Sequence, residues 1–310
     1  MQLWKKRNVS FLLLALMVFL LAACAPQEGN TQTTQTANET PLEAIQKSVE
    51  AMKQLKSAHL ELQANNQVKN PIQQTPQSMP TTAQTQDITI QVKGNGDVSM
   101  PDQAKINYTL SSGKQNAQLV QIMKGNKVYI QNQQGKWYVL DKEVLMQQAG
   151  IPGGPYQLDQ QSMLGLLQHA KIKDQGIQSL RGENMRHISA DLDKEAFKEL
   201  LRNSPQLKGY FGQQDIETVI DKTKSFNSTV DVWIDQNKHY VRRTEMKVNM
   251  ALDPSAISNQ STQKGDITST SDLVIDLSKF DEPVTITPPE QATPTNNLQE
   301  VLGIPQEPQQ

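Results

Sequence analysis

Two hydrophobic rhythms run along this chain, and each change of rhythm predicts a change of element. Leu42, Ile45, Val49, Met52 and Leu55 recur at helical spacing. Thr40-Pro41-Leu42-Glu43 supplies a cap, a first-turn proline and a capping-box glutamate, so an amphipathic helix is predicted from Pro41 to about Lys56. From Ser57 the period drops to two. Ala58, Leu60 and Leu62 alternate with His59, Glu61 and Gln63, the mark of a half-buried strand. Residues 70–86, rich in Pro, Gln and Thr, interrupt it as a long polar loop. Ile88, Ile90 and Val92 resume the alternation, and Gly94-Asn95-Gly96 reads as a turn or bulge. Ala104, Ile106, Tyr108 and Leu110 form the next strand. Residues 117–123 and 127–131 continue a meander around Gly125-Asn126, and Gln133-Gln134-Gly135 turns the chain into Trp137 to Leu140.

The middle, residues 143–223, predicts short helices with little alternation. Asp159 is placed to cap a helix carrying Met163, Leu164, Leu166 and Leu167, and Asp193 one carrying Phe197, Leu200 and Leu201. A third runs from Gln214 to Thr223, and Asn184 to Leu192 reads as a strand between the first two. Alternation returns at Thr229 with Val230, Val232 and Ile234. A turn follows at Asp235 to Lys238, then a strand from Tyr240 to Leu252 with Met246, Val248 and Met250 on one face, and a last one through Leu273, Ile275 and Leu277. After Pro283 the many prolines predict an irregular tail, disordered over 293–310. Clean alternation in several segments argues for one antiparallel sheet with one covered and one wet face, and the helices are the available cover. The fold class is therefore α+β.

The first 23 residues follow neither rhythm. Lys5, Lys6 and Arg7 precede an apolar run from Phe11 to Leu21, and small residues lead to Cys24, the pattern of a secretory signal. Leu21-Ala22-Ala23-Cys24 resembles the lipobox of bacterial lipoproteins, which implies cleavage before Cys24 and lipid on its thiol. Residues 24–40, poor in anything to bury, then form a flexible tether. Localisation at the cell membrane, lipid-anchored on the extracytoplasmic face, follows.

Composition narrows the function by subtraction. Cys24 is the single cysteine, so no intramolecular disulfide holds the fold. The net charge is −2, and the signal removes three basic residues and no acidic ones, leaving no basic field for nucleic acid. His59, His169, His187 and His239 lack metal-ligand spacing, and no Gly-x-Ser-x-Gly elbow appears. No catalytic residue, metal or cofactor is assigned, and the chain is read as a non-enzyme. The pairs Asp231 with Asp235 and Asp272 with Asp276 fall opposite the apolar face and read as solvated surface.

The order of elements resembles the LolA/LppX-like lipoprotein carriers. The matching segments are Gly125-Asn126-Lys127-Val128-Tyr129-Ile130, then Lys136-Trp137-Tyr138, then Val232-Trp233-Ile234-Asp235, and the closing Pro-Pro-Glu-Gln-Ala at 288–292. The resemblance spans residues 41–292 and marks strands and turns, with no chemistry. It implies a strongly curved, incomplete β-barrel, its concave face covered by helices over an apolar cavity. The polar insertion at 70–86 departs from the family's early hairpin. Ile106, Tyr108, Met163, Leu164, Leu167, Phe197, Met246 and Val248 are the candidates to line that cavity, with methionine suited to variable ligand surfaces. The implied function is binding or sensing of a lipid, acyl chain or other amphipathic ligand by an anchored monomer. The alternative is a regulatory or scaffolding lipoprotein that binds an envelope protein partner through the same fold.

Overall fold

Alternating side chains build a sheet of twelve strands in the computed structural model. The structure describes residues 39–70, 87–113, 115–149, 170–203, 220–254 and 265–302. The strands are β1 (Ser57–Lys69), β2 (Ile88–Ser99), β3 (Gln103–Ser112), β4 (Gln115–Lys124), β5 (Lys127–Gln131), β6 (Trp137–Asp141), β7 (Lys171–Leu180), β8 (Glu183–Leu192), β9 (Thr223–Asp235), β10 (Val241–Leu252), β11 (Ile267–Ser278) and β12 (Thr293–Pro294). Their order is β12-β6-β5-β4-β3-β2-β1-β11-β10-β9-β8-β7, with β7 and β12 as unjoined ends. Every neighbouring pair is antiparallel except β12 against β6. The sheet is open and antiparallel but for β12, as alternation predicts, and is consistent with the curved half-barrel that the family resemblance implies.

The close approach of β2 and β3 has a residue-level cause. A Cβ on Gly96 would lie 2.0 Å from the Lys105 carbonyl oxygen and 2.7 Å from the Ile106 Cα, so β2 and β3 approach more closely there than any side chain allows. Gly94, one inward position away, is covered by the Tyr108 ring, whose Cε1 would meet its Cβ at 3.1 Å. The register from Ser99 to Ile90 is continuous on both sides of β2. Gly94-Asn95-Gly96 is thus neither a turn nor a bulge, but the interior of a strand where missing Cβ atoms let the neighbouring strand and the Tyr108 ring come close.

Helices α1 (Pro41–Lys53), α2 (Lys142–Ala149), α3 (Lys194–Asn203) and α4 (Leu298–Leu302) lie on the inward face. Ala44, Ile45 and Met52 of α1, Leu145 of α2, Phe197 of α3 and Leu298 and Val301 of α4 share one apolar cluster with Leu60, Leu62, Ile106, Val128, Ile188, Val232 and Ile275. Burial of this cluster is the main stabilising term. Polar bonds seat α1: Ser48 Oγ donates to the His239 carbonyl at 2.6 Å, and the Val241 N–H points at Met52 Sδ at 3.4 Å. Lys56 N–H donates to Asp281 Oδ1 (2.9 Å), and Asp281 N–H to the Ser57 carbonyl (2.9 Å), which ties the end of β11 to the start of β1.

Several elements depart from the sequence expectation. Helix α1 stops at Lys53, and β9 begins at Thr223 rather than Thr229. Strand β7 lies in the region predicted to be helical. The tail is more ordered than its prolines predict: β12 and α4 fall within 293–302, and Val301 is buried. The predicted helix around Met163 to Leu167, most of the one from Gln214, and the insertion 71–86 lie outside the described residues, as does Cys24.

Candidate functional site

The strands set their inward side chains in registered rows, and the rows change character with distance from α1. The row Tyr108, Gly94, Leu62, Ile275, Thr244, Val232, Ile188 runs from β3 to β8. Apart from half-buried Tyr108, its members are buried. One step outward, Leu110, Val92, Ala64, Leu273, Met246, Val230, Ala190 and Ile172 make an apolar row across eight strands, from β3 to β7. Seven strand spacings of ~4.8 Å give it an arc of about 34 Å. Leu110, Val92, Ala64, Met246 and Ile172 are only half-buried.

The next row is mixed. Ile90, Asn66, Ser271, Val248, Ser228 and Leu192 follow one another from β2 to β8. Beyond it stand Ile88, Val68, Ser269, Met250 and Phe226. Ile88 is 42 % and Ile90 40 % exposed, which leaves apolar surface facing water at the outer end of the trough. Neither the apolar row nor the mixed row carries an ionisable side chain. They can hold apolar and neutral polar groups, and they have nothing with which to move a proton.

Helix α3 flanks the trough at β9. Asp193 caps it, its Oδ1 accepting the Ala196 N–H at 2.9 Å. The Phe197 ring packs on Phe226 with centroids 5.0 Å apart. Lys198, almost covered, donates to Asp221 (2.7 Å) and Glu195 (2.6 Å). Hydrogen bonds to those two carboxylates, Asp221 first, push its pKa up and keep it charged.

The outward face carries the charge. Arg243 binds Asp276 through both carboxylate oxygens, at 2.7 and 2.9 Å, and Arg181 reaches the same carboxylate at 3.1 Å and Glu61 at 2.6 Å. These bonds, to Asp276 for Arg243 and to Glu61 for Arg181, raise both guanidinium pKa values. Asp276 is 9 % exposed, so it is a paired, covered carboxylate rather than solvated surface. His187 stacks on Trp233 at 4.2 Å and places Nε2 2.8 Å from Asp231, which likewise has a partner. His59 Nδ1 lies 2.7 Å from Asp97. Among the described residues no three His, Cys, Asp or Glu side chains converge as a metal site.

The candidates read from sequence separate into groups. Met246 and Val248 sit in adjacent inward rows of β10, and Phe197 joins their flank through Phe226 and Met250. Tyr108 lies on the opposite flank, over Gly94. Ile106 is 0 % exposed and belongs to the packed core, so it does not line the half-open trough. Met163, Leu164 and Leu167 lie outside the described residues. Val92 and Leu110 read from sequence only as alternating strand positions, and Ala64, Asn66, Ser271 and Ser228 carry no sequence signal of a site. Only the strand register brings them together, although the matching phase of Ile90-Gln91-Val92 and Asn107-Tyr108-Thr109-Leu110 signals the shared face.

A family model described as a family of unknown function (DUF6612) matches residues 40–296. No curated protein matches the chain. Among solved structures it is similar to the lipoprotein LppX of Mycobacterium tuberculosis, at 15 % identity over 79 % of this chain and 97 % of that one, with a TM-score of 0.40. It is also similar to LprF from Mycobacterium bovis, at 17 % identity over 80 % and 96 %, TM-score 0.43. A LolA superfamily protein from Nitrosomonas europaea shows 10 % identity over 80 % and 96 %, TM-score 0.22.

Proposed function

The chain belongs to the DUF6612 family, and we propose that it is a membrane-anchored extracytoplasmic lipoprotein whose concave face binds an amphipathic ligand, a lipid or an acyl chain, without catalysing a reaction. The observation that carries this reading is the half-open apolar trough: an eight-strand row with half-buried Val92, Leu110 and Met246, ending in exposed Ile88 and Ile90. A chain-like ligand laid along it covers that surface, at about 25 cal/mol per Å² of apolar area removed from water. The anchor is the lipid on Cys24, and residues 25–40 set how far from the membrane the trough can collect or release its ligand.

Native mass spectrometry of the intact chain extracted from membranes is expected to show co-purifying lipid, and a fluorescent fatty acid is expected to bind. Met246→Asp places a carboxylate in the apolar row and should weaken that binding at least about tenfold, with far-UV circular dichroism checking that the fold survives. An intact chain that carries no lipid and takes up no probe refutes the reading and leaves the protein-partner alternative. Cys24→Ser should abolish incorporation of labelled fatty acid into the protein.

A further inference from the structure

The two flanks of the trough differ in how much of them a ligand can touch. On β8 and β9 the inward side chains Ala190, Leu192, Ser228 and Val230 are buried, as is Val248 on β10. On β1, β2 and β3 the same rows are open. Burial falls steadily along β2, from buried Gly94 through half-buried Val92 to exposed Ile90 and Ile88. Beside them lie Ala64, Asn66 and Val68 on β1 and Leu110 on β3, all half-buried. At ~3.3 Å per residue this open strip runs about 20 Å from Gly94 to Ile88. Asn66, paired with Ile90, is the polar side chain at its middle. The Ser271 hydroxyl donates to Asn66 Oδ1, which leaves the two amide hydrogens for another acceptor. Among the described residues they have no partner. An accessible neutral donor thus stands in the open part of an otherwise apolar surface.

We propose that the ligand lies along the open strip of β1–β3, with Asn66 donating a hydrogen bond to its acyl carbonyl, the ester or amide that joins an apolar chain to its head. This rests on the ligand-binding reading above and adds which flank holds the ligand and where its polar junction sits. Val92, Leu110 and Ala64 cover the chain and supply the affinity. The Asn66 amide is hydrated in the free protein, so a carbonyl that replaces that water adds little energy and mainly selects the head. An asparagine kept only for hydration would show no such selection.

The test titrates the intact chain, stripped of bound lipid, with four single-chain probes of equal length: a methyl ester, an N-methyl amide, a methyl ether that lacks the carbonyl, and an alkylammonium. The unmodified chain should bind ester or amide about fivefold more tightly than ether, the effect of one net hydrogen bond. Asn66→Asp keeps the shape and the acceptor for Ser271 but replaces the donor with a carboxylate. It should erase the carbonyl preference and raise alkylammonium affinity at least about fivefold. Asn249→Asp, the same exchange at an exposed outward position of β10, should change neither. The ester and amide arms separate an ester lipid from an amide-linked acyl group as the source. Equal ester, amide and ether binding by the unmodified chain, a preference that survives Asn66→Asp, or an equal alkylammonium gain in Asn249→Asp overturns this inference alone. Failure of the unmodified chain to bind any probe overturns it together with the ligand-binding reading.

Discussion

At the residue scale, single atoms decide how closely strands approach and how stability responds to pH. Gly96→Ala must move backbone, because the new methyl would sit 2.0 Å from the Lys105 oxygen. A loss of about 3 kcal/mol in urea unfolding is expected. Gly176→Ala is the control: its φ is +78° with nothing within 4 Å, so only backbone strain of about 1 kcal/mol should appear. Similar losses for the two would refute the close-approach account. Asp281 makes the second case. It accepts from the Tyr240 hydroxyl at 2.6 Å and from Lys56 N–H, and these bonds, Tyr240 first, hold its pKa below the usual carboxylate range while Asp281 pushes Tyr240 up. A lowered carboxyl stabilises the fold above its unfolded pKa of about 4, and that contribution fades as pH falls through the folded value. A raised tyrosine contributes below about pH 10 and loses it as pH rises through its own folded value. Asp281→Asn should therefore cost about 1 kcal/mol at neutral pH, after screening at an exposed site. It should also flatten both limbs of the stability profile. Denaturant titrations across pH measure this, and an unchanged acid limb would contradict it.

At the element scale, the β7–β8 hairpin shows where sequence reading stops. Strands such as β1, β3, β9 and β11 are legible because burial on one face forces Leu60-Glu61-Leu62 or Val230-Asp231-Val232 to alternate. Strand β7 is an edge, exposed along nearly its whole length, and its register shifts between Asp174 and Gly176. With no buried face, nothing imposes a period of two on Lys171 to Leu180, and the segment passes for part of a helical region. Gly94 and Gly96 mislead for the complementary reason: a glycine reads as a turn until the partner strand it admits is known. The hairpin is held from its turn, where Arg181 reaches Glu61 of β1 and Asp276 of β11, and Glu183 pairs with Arg242 at 3.1 Å. Arg181→Ala is expected to raise amide hydrogen exchange in β7 and β8 well before β1–β3, with little change in the midpoint of global unfolding. A uniform rise would show that the arginine supports the whole sheet instead.

At the scale of the whole sheet, fold class and the use of the inward face are readable from sequence. Alternation predicts one covered face, and the covered face is where Met246 and Val248 lie. The site itself is less legible, because rows across strands depend on register, which no single segment encodes. Ile106 and Tyr108 illustrate the limit: two neighbours of identical phase on β3, one sealed in the core and one over a glycine beside the trough. The mixed row with Ser228 needs five pairings to be known at once.

The unjoined ends of the sheet have a mechanical consequence. In a closed barrel, strand number and shear together dictate the radius. With β7 and β12 at separate rims, no closure condition quantises the bore. Its width follows the twist and coiling of the strands, which vary continuously at small energetic expense. Such a sheet resembles a leaf spring: its width can change by small increments while every strand keeps its neighbours.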